Sequence, residues 1–162
     1  LAPNKGPFTF TGTCTYIVGA GKVVVIDPGP EDESHIDALL SALKKETISA
    51  ILVTHTHRDH SPGARLLQKR TGAPILGCAT HVPIADPPSG RLDASHDLDH
   101  APDEVLSDGA LFKGDGVTLE AEELSTSETV TRIITTAPVV LVPTSFGPPR
   151  VVRPQPQEIT AI

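Results

Sequence analysis

Methionine and tryptophan are absent from this chain, and aromatic side chains of any kind are scarce: Phe8, Phe10, Tyr16, Phe112 and Phe146 are the whole set. Without a methionine the chain reads as a processed product, a fragment or an excised segment. The shortage of aromatics leaves a core to be built mainly from aliphatic side chains. At 162 residues and 38% apolar content, that is enough for one domain. Positive charge is also in short supply, with 13 Lys and Arg against 20 Asp and Glu and a formal net charge of −7. That argues against the broad basic footprint needed for extended binding to a phosphate backbone, although a small cationic groove beside a metal stays open. No run approaches the roughly 18 apolar residues of a membrane span, and no charged-then-apolar leader opens the chain. Only two cysteines occur, Cys14 and Cys78, and they share no metal-type spacing. They fit a reducing, cytoplasmic setting; the sequence leaves open whether they pair with each other.

What is present reads as alternating strands and helices. Phe8-Thr9-Phe10 and Thr13 to Val18 carry β-branched and aromatic residues. Gly19-Ala20-Gly21 then turns the chain into the apolar run Lys22 to Asp27, a hairpin signature. A phosphate-loop reading of Gly19 to Lys22 fails, because Tyr16 stands where the first glycine is required and Val23 follows the lysine. Pro28-Gly29-Pro30 stops the strand. Ile36, Leu39, Leu40 and Leu43 recur at helical spacing between Asp32 and Lys45, acids early and lysines late. Ala50 to Val53 predicts a short buried strand, Ala64 to Lys69 a second helix closed near Gly72, and Pro74 to Gly77 another strand. This order implies parallel pairing with helical crossovers, hence an α/β sandwich. A long polar connection is expected from Ala85 to Asp103, followed by strands about a Gly114-Asp115-Gly116 turn. After Ala121 there is no His, Asp or Lys, while Thr, Pro and Val accumulate. Arg132 to Thr136 and Val139 to Val142 are candidate strands, and Pro148 to Gln157 is expected to be irregular.

One segment carries chemistry: His55-Thr56-His57-Arg58-Asp59-His60, directly after the buried strand. In extended backbone, side chains two apart share a side, so His55 and His57 converge on one metal ion. The turn that follows swings Asp59 and His60 toward a neighbouring position. Imidazole and carboxylate are ordinary zinc ligands, and an open coordination position lowers the pKa of bound water to about 7. A solvated polar loop is the plainer alternative. It does not account for three of the seven histidines falling within six residues, at ligand spacing, behind an apolar strand.

Taken with its flanks, the segment resembles a known family. The upstream text Asn4 to Phe8, then Gly12-Thr13-Cys14-Thr15-Tyr16-Ile17-Val18-Gly19, then Ile26-Asp27-Pro28-Gly29 is similar to the lactamase-β-like-2 branch of the metallo-β-lactamase superfamily. That branch includes endoribonucleases acting on single-stranded RNA; most of it carries Asn at the position of Cys14. The resemblance covers roughly Leu1 to Ala121. It implies an αββα sandwich of which the N-terminal half is present, with residues 1–121 as the family-like portion and 122–162 as a divergent or replaced tail. A frame-shifted C-terminus is one origin for such a tail. It also implies one or two zinc ions, dinuclear in the family, with His55 and His57 on the first, Asp59 and His60 on the second, and Asp59 as the catalytic carboxylate. Asp27 is either a supporting carboxylate near the site or a turn acid capping the strand end. The family's Thr-Pro-Gly-His-Thr after a strand like Val117 to Ala121 is missing, as are its later bridging Asp and final His. Glu120, Glu122 and Glu123 are expected to be surface strand acids rather than ligands.

The other histidines carry weaker signals. His35 falls on the polar side of the first helix and is expected in solvent. Cys78 and His81 have chelating spacing but are read as a strand-end loop. His96 and His100 are expected as solvated loop residues, able to replace a lost ligand only if the fold were rearranged. The function implied is a zinc-dependent hydrolase directing a metal-held hydroxide at a phosphodiester (single-stranded RNA) or a thioester or other small acyl substrate. The alternative is an inactive metal-binding or structural remnant. No membrane partner is implied, and the oligomeric state is left open.

Overall fold

The computed structural model describes residues 1–83, 95–114 and 117–121 with their side chains, and the backbone of 122–123, 131–135, 139–141, 150–152 and 157–159. The described residues form a mixed α/β structure of two sheets and two helices. Strands β1 (Tyr16–Ala20) and β2 (Lys22–Ile26) form an antiparallel hairpin with Ala20 opposite Lys22. Gly21, at φ 76°, makes the tight reversal. Helix α1 (Glu33–Ala42) then crosses to β3 (Thr47–Val53), and α2 (Gly63–Thr71) crosses to β4 (Ile75–Gly77). The pairs β2–β3 and β3–β4 are parallel, as helical crossovers require. The two-residue β5 (Glu104–Val105) adds a further parallel strand. In the second sheet, β6 (Leu111–Gly114) and β7 (Val117–Glu123) pair antiparallel.

Later strands join both sheets. β8 (Thr131–Thr135) pairs with β7, β9 (Val139–Leu141) with β1, β10 (Arg150–Val152) with β9, and β11 (Gln157–Ile159) with β8. The sheet orders are therefore β10-β9-β1-β2-β3-β4-β5 and β11-β8-β7-β6.

Why β2 and β3 are apolar at every inner position follows from what covers them. Val23, Val25, Ile51 and Val53 face the helices and pack with Ile36, Leu39 and Leu67. Their alternating neighbours Val24, Ile26, Ala50 and Leu52 face the second sheet and meet Val117 and Leu119. A strand buried on both faces has no polar side to show. These layers, helices on sheet on sheet, are three of the four in an αββα sandwich.

Local signals set the helix ends. Asp32 caps α1 by accepting from the His35 backbone N–H at 2.9 Å. Gly72, at φ 73°, closes α2 in the left-handed conformation. Several expectations need correction. Phe8-Thr9-Phe10 is a turn, not a strand, with Phe8 96% exposed and Phe10 at φ 50°. The first strand begins at Tyr16 rather than Thr13. Part of the stretch from Pro148 to Gln157 is regular, since β10 lies within it and β11 begins at Gln157; its other residues lie outside the described ones. So do residues 85–94 of the expected connection, Asp115 and Gly116 of the expected turn, and Thr136 and Val142 at the ends of the expected tail strands. Cys14 and Cys78 are both free thiols. No helix among the described residues is long and apolar enough to cross a membrane.

Candidate metal centre

The site is built where β2 and β3 end side by side. Ile26 pairs with Leu52, so Asp27, one residue on, and Thr54, two residues on, emerge together at the carboxyl edge of the parallel strands. That edge is where open α/β sheets place their ligands. Asp27 leaves the strand at φ 48°, a left-handed conformation uncommon for a residue with a side chain. Its carboxylate is fully buried and accepts from the Thr54 backbone N–H at 2.8 Å and the Thr54 hydroxyl at 2.7 Å. It also pairs with His60 Nδ1 at 3.1 Å. Three hydrogen bonds to one buried carboxylate fix both the strand ends and the motif loop.

Proton counting then assigns the imidazole tautomers. The Thr54 hydroxyl has one proton and gives it to Asp27, which can only accept. Its contact with His55 Nδ1 at 2.9 Å must therefore run from Nδ1–H to the hydroxyl. His55 thus carries its lone pair on Nε2. By the same logic His60 donates Nδ1–H to Asp27, so Nε2 is the atom a metal would take once its own proton has left. His60 Nε2 stands 3.4 Å from Asp59 Oδ2. Asn4 Nδ2 donates to the Thr13 hydroxyl at 2.9 Å, and that hydroxyl donates onward to Asp59 Oδ2 at 2.9 Å. Asp59 is thereby aimed from the far side.

The rings themselves are gathered. The His55 centroid lies 4.7 Å from that of His57 and 4.2 Å from that of His60. Burial, aided by the nearby charge of His60, pushes His55 down to about 4, so its ring is neutral at ordinary pH. For His60 burial pulls the same way, but the hydrogen bonds and charges of Asp27 and Asp59 outweigh it and raise it to about 9. The His60 hydrogen bond, with the Thr13 hydroxyl helping, holds Asp59 well below the usual carboxylate range. Two carboxylates thus bracket a set of imidazoles that attracts positive charge. Ligating atoms of Asp27, His55 and His60 all lie within 4.8 Å of one another, the one such group of three or more among the described residues. This donor chemistry, nitrogen with carboxylate oxygen, fits a zinc ion.

All five residues singled out from the sequence therefore meet at one place, but not with equal closeness. His57 and Asp59 stand at the margin of the tight trio, and Asp27 is inside it. Sequence reasoning missed Thr54, Thr13 and Thr56. Thr54 had one signal: a buried hydroxyl residue between an apolar strand and the first histidine.

Three of the remaining histidines overturn their expectations, while His81 lies in the loop after β4 as expected. His35 is 1% exposed and pairs with the Thr15 hydroxyl at 3.1 Å, because the first turn of α1 is tucked under the Pro28–Pro30 turn. Burial pushes it down to about 4. His96 and His100 are buried rather than solvated. Cys78 faces His100, Sγ to Nε2 at 3.6 Å, rather than His81, and burial raises its thiol to about 12. His81 stacks on His96, with centroids 3.7 Å apart. Glu120 is exposed on β7, as a surface acid should be.

The comparisons with known proteins point one way. The profile of the Metallo-beta-lactamase superfamily matches residues 8–141. An atrochrysone carboxyl ACP thioesterase of Claviceps purpurea is 33% identical over 126 residues, 75% of this chain and 35% of that protein. The Beta-lactamase-like protein 2 homolog of Caenorhabditis elegans is 43% identical over 67 residues, 39% of this chain and 23% of that protein. A subclass B3 metallo-beta-lactamase of Bradyrhizobium japonicum superposes with a TM-score of 0.61 at 20% identity, covering 81% of this chain and 55% of that one. At that identity the likeness speaks for the fold alone. The chain spans about a third of the length of the first relative and about half of the B3 structure.

Proposed function

The chain belongs to the metallo-beta-lactamase superfamily, and from that premise we propose that it is a zinc-dependent hydrolase of small acyl thioesters. The observation that carries the reading is the pair of imidazoles whose Nδ1 atoms are committed to Thr54 and Asp27. That scaffold has little purpose in a solvated loop, because it costs buried polar groups and a left-handed Asp27.

In this reading His55, His57, Asp59 and His60 hold the metal, and Asp27 orients His60 and Thr54 from beneath. Asp59 is the carboxylate nearest to solvent, with 34% of its side chain exposed, so it faces the side from which a substrate enters. Zinc bound there would supply Lewis acidity toward a carbonyl and toward water. Asn4 and Thr13 keep the Asp59 carboxylate turned inward, and Thr54 keeps Nε2 of His55 unprotonated. Two facts favour a thioester over RNA: the net charge of −7, which argues against a broad phosphate-tracking surface, and the thioesterase name of the Claviceps relative. Residues 1–121 carry every residue of the proposed site, and 122–162 are taken as a divergent tail.

A second reading, a metal-binding chain without turnover, rests on the absence of His and Asp from residues 122–162. Zinc per chain, measured after dialysis against a weak chelator with His55→Ala as control, separates the two when followed by assays on acyl-thioester and single-stranded RNA probes. One or two retained ions, lost in the variant, with thioester cleavage, are expected. Retained zinc without turnover of any probe would favour the second reading, and no retained zinc would overturn both.

A further inference from the structure

The motif loop holds its ligands unequally. His55 and His60 are fixed by hydrogen bonds at Nδ1, and Asp59 by the Thr13 hydroxyl. For His57 the structure gives ring contacts with His55 and His96 and no side-chain hydrogen bond among the described residues. Its place depends on the backbone that carries it. We propose that Asp97, forty positions beyond His57, is the positioning residue that holds this stretch of loop, an inference that rests on the metal reading above.

Asp97 is 5% exposed, and its carboxylate is fully engaged. Oδ2 accepts from the Ser61 hydroxyl at 2.9 Å and from Arg65 Nη1 at 2.6 Å, and Oδ1 accepts from the Asp99 N–H at 3.2 Å. The Ser61 hydroxyl also lies 3.4 Å from the His57 carbonyl, but it has one proton, and the shorter contact to a charged acceptor takes it. Ser61 in turn gives its backbone N–H to the His57 carbonyl at 3.1 Å. The Asp97 side chain thus anchors the end of the turn that begins at His57, and ties it to Arg65 on α2. The Asp97 backbone anchors the front of the same stretch, its N–H donating to Thr56 O at 2.6 Å. Between these two points Arg58 gives its N–H to Ser95 O at 2.9 Å and its Nε–H to His96 O at 3.1 Å, and His57 faces His96 across an isolated β-bridge. Both ends of Thr56 to Ser61 are therefore bound to one residue, with His57 and Asp59 between them. A buried ion pair adds little net stability over apolar packing, because desolvating the carboxylate cancels much of the attraction. What it supplies here is one fixed arrangement, and ligands held by such outer groups bind metal more tightly.

The test is zinc affinity by chelator competition, without denaturant, on Asp97→Ala, Asp97→Asn and Ser61→Ala. Leu43→Ala, a core truncation at the far end of α1, is the control for stability alone, and urea unfolding of the metal-free proteins confirms that each variant folds. Affinity should fall about 10- to 100-fold in Asp97→Ala, and by smaller factors in Ser61→Ala and in Asp97→Asn, which keeps an acceptor for Ser61. Leu43→Ala should lose stability and keep its zinc. In the metal-free chain, amide exchange at Arg58 and Asp97 should quicken in Asp97→Ala while that at Leu52 in β3 does not. Unchanged exchange at those two amides, or a zinc affinity that falls no further in Asp97→Ala than in Leu43→Ala, would overturn this inference and leave the zinc hydrolase reading standing. An unaltered chain that holds no zinc would overturn both.

Discussion

Thr54→Val is the sharpest perturbation the site offers, since it changes one buried hydroxyl to a methyl of nearly equal size. Thr54 has no exposed surface, so no water replaces what is lost. Its Oγ1 donates to Asp27 at 2.7 Å and accepts from His55 Nδ1 at 2.9 Å, while its backbone N–H to Asp27 survives the change. The hydrogen bond to a carboxylate is worth about 1.5–3 kcal/mol and the one to a neutral ring about 0.5–1.5 kcal/mol. A buried methyl returns a fraction of this, so a net destabilisation of roughly 2–3 kcal/mol is expected in urea unfolding of the metal-free protein. A second effect falls on the metal. His55 loses the acceptor that keeps its proton on Nδ1, so zinc affinity should drop about 10- to 100-fold, or roughly 1.4–2.7 kcal/mol. Thr54→Ser restores the hydroxyl and should restore affinity while leaving a small packing deficit. Urea unfolding and chelator competition read the two effects separately. Unchanged zinc affinity in Thr54→Val would refute the tautomer argument, whatever happened to stability.

Other consequences can be measured on the same footing. His35 is buried with its pKa lowered from 6.5 to about 4, so the unfolded chain binds its proton first. Stability from this group is complete above about pH 6.5 and is lost as pH falls toward 4, by roughly 3 kcal/mol; His35→Leu should remove that part of the slope in urea titrations. At Gly63 a Cβ would lie 2.7 Å from the Pro28 carbonyl and 2.9 Å from that of Gly29. Gly63→Ala should therefore push α2 off the turn whose Gly29 N–H holds the His60 carbonyl at 3.0 Å, costing about 1–3 kcal/mol in thermal unfolding and weakening zinc binding. Zinc at about a hundred times its Kd should add roughly 2.7 kcal/mol of stability, reversed by chelator; no shift on loading would count against a folded-state site.

The legible part of this protein was local. The apolar runs Val23 to Ile26 in β2 and Ala50 to Val53 in β3 announced strands covered on both faces, and Asp32 and Gly72 marked helix ends, because period, cap and turn chemistry act within a few residues. The spacing of His55, His57, Asp59 and His60 named a metal site for the same reason. Side-chain fate one position off a pattern was not legible. His35 sits on the first turn of an amphipathic helix, and only the turn packed over that end puts it inside. His96 and His100 look like loop residues because the apolar residues near them, Leu92, Leu98, Val105 and Leu106, keep no helix or strand period that would predict cover.

Sequence by itself thus determined the layered α/β frame, the family and the motif loop, all of which depend on contacts near in the chain or on short patterns. Tertiary structure alone decided that Asp27 lies beneath His60, that Thr13 aims Asp59 and that His96 joins the imidazole cluster. Those pairings span 33, 46 and 39 positions, and no local preference encodes which distant segment closes on which.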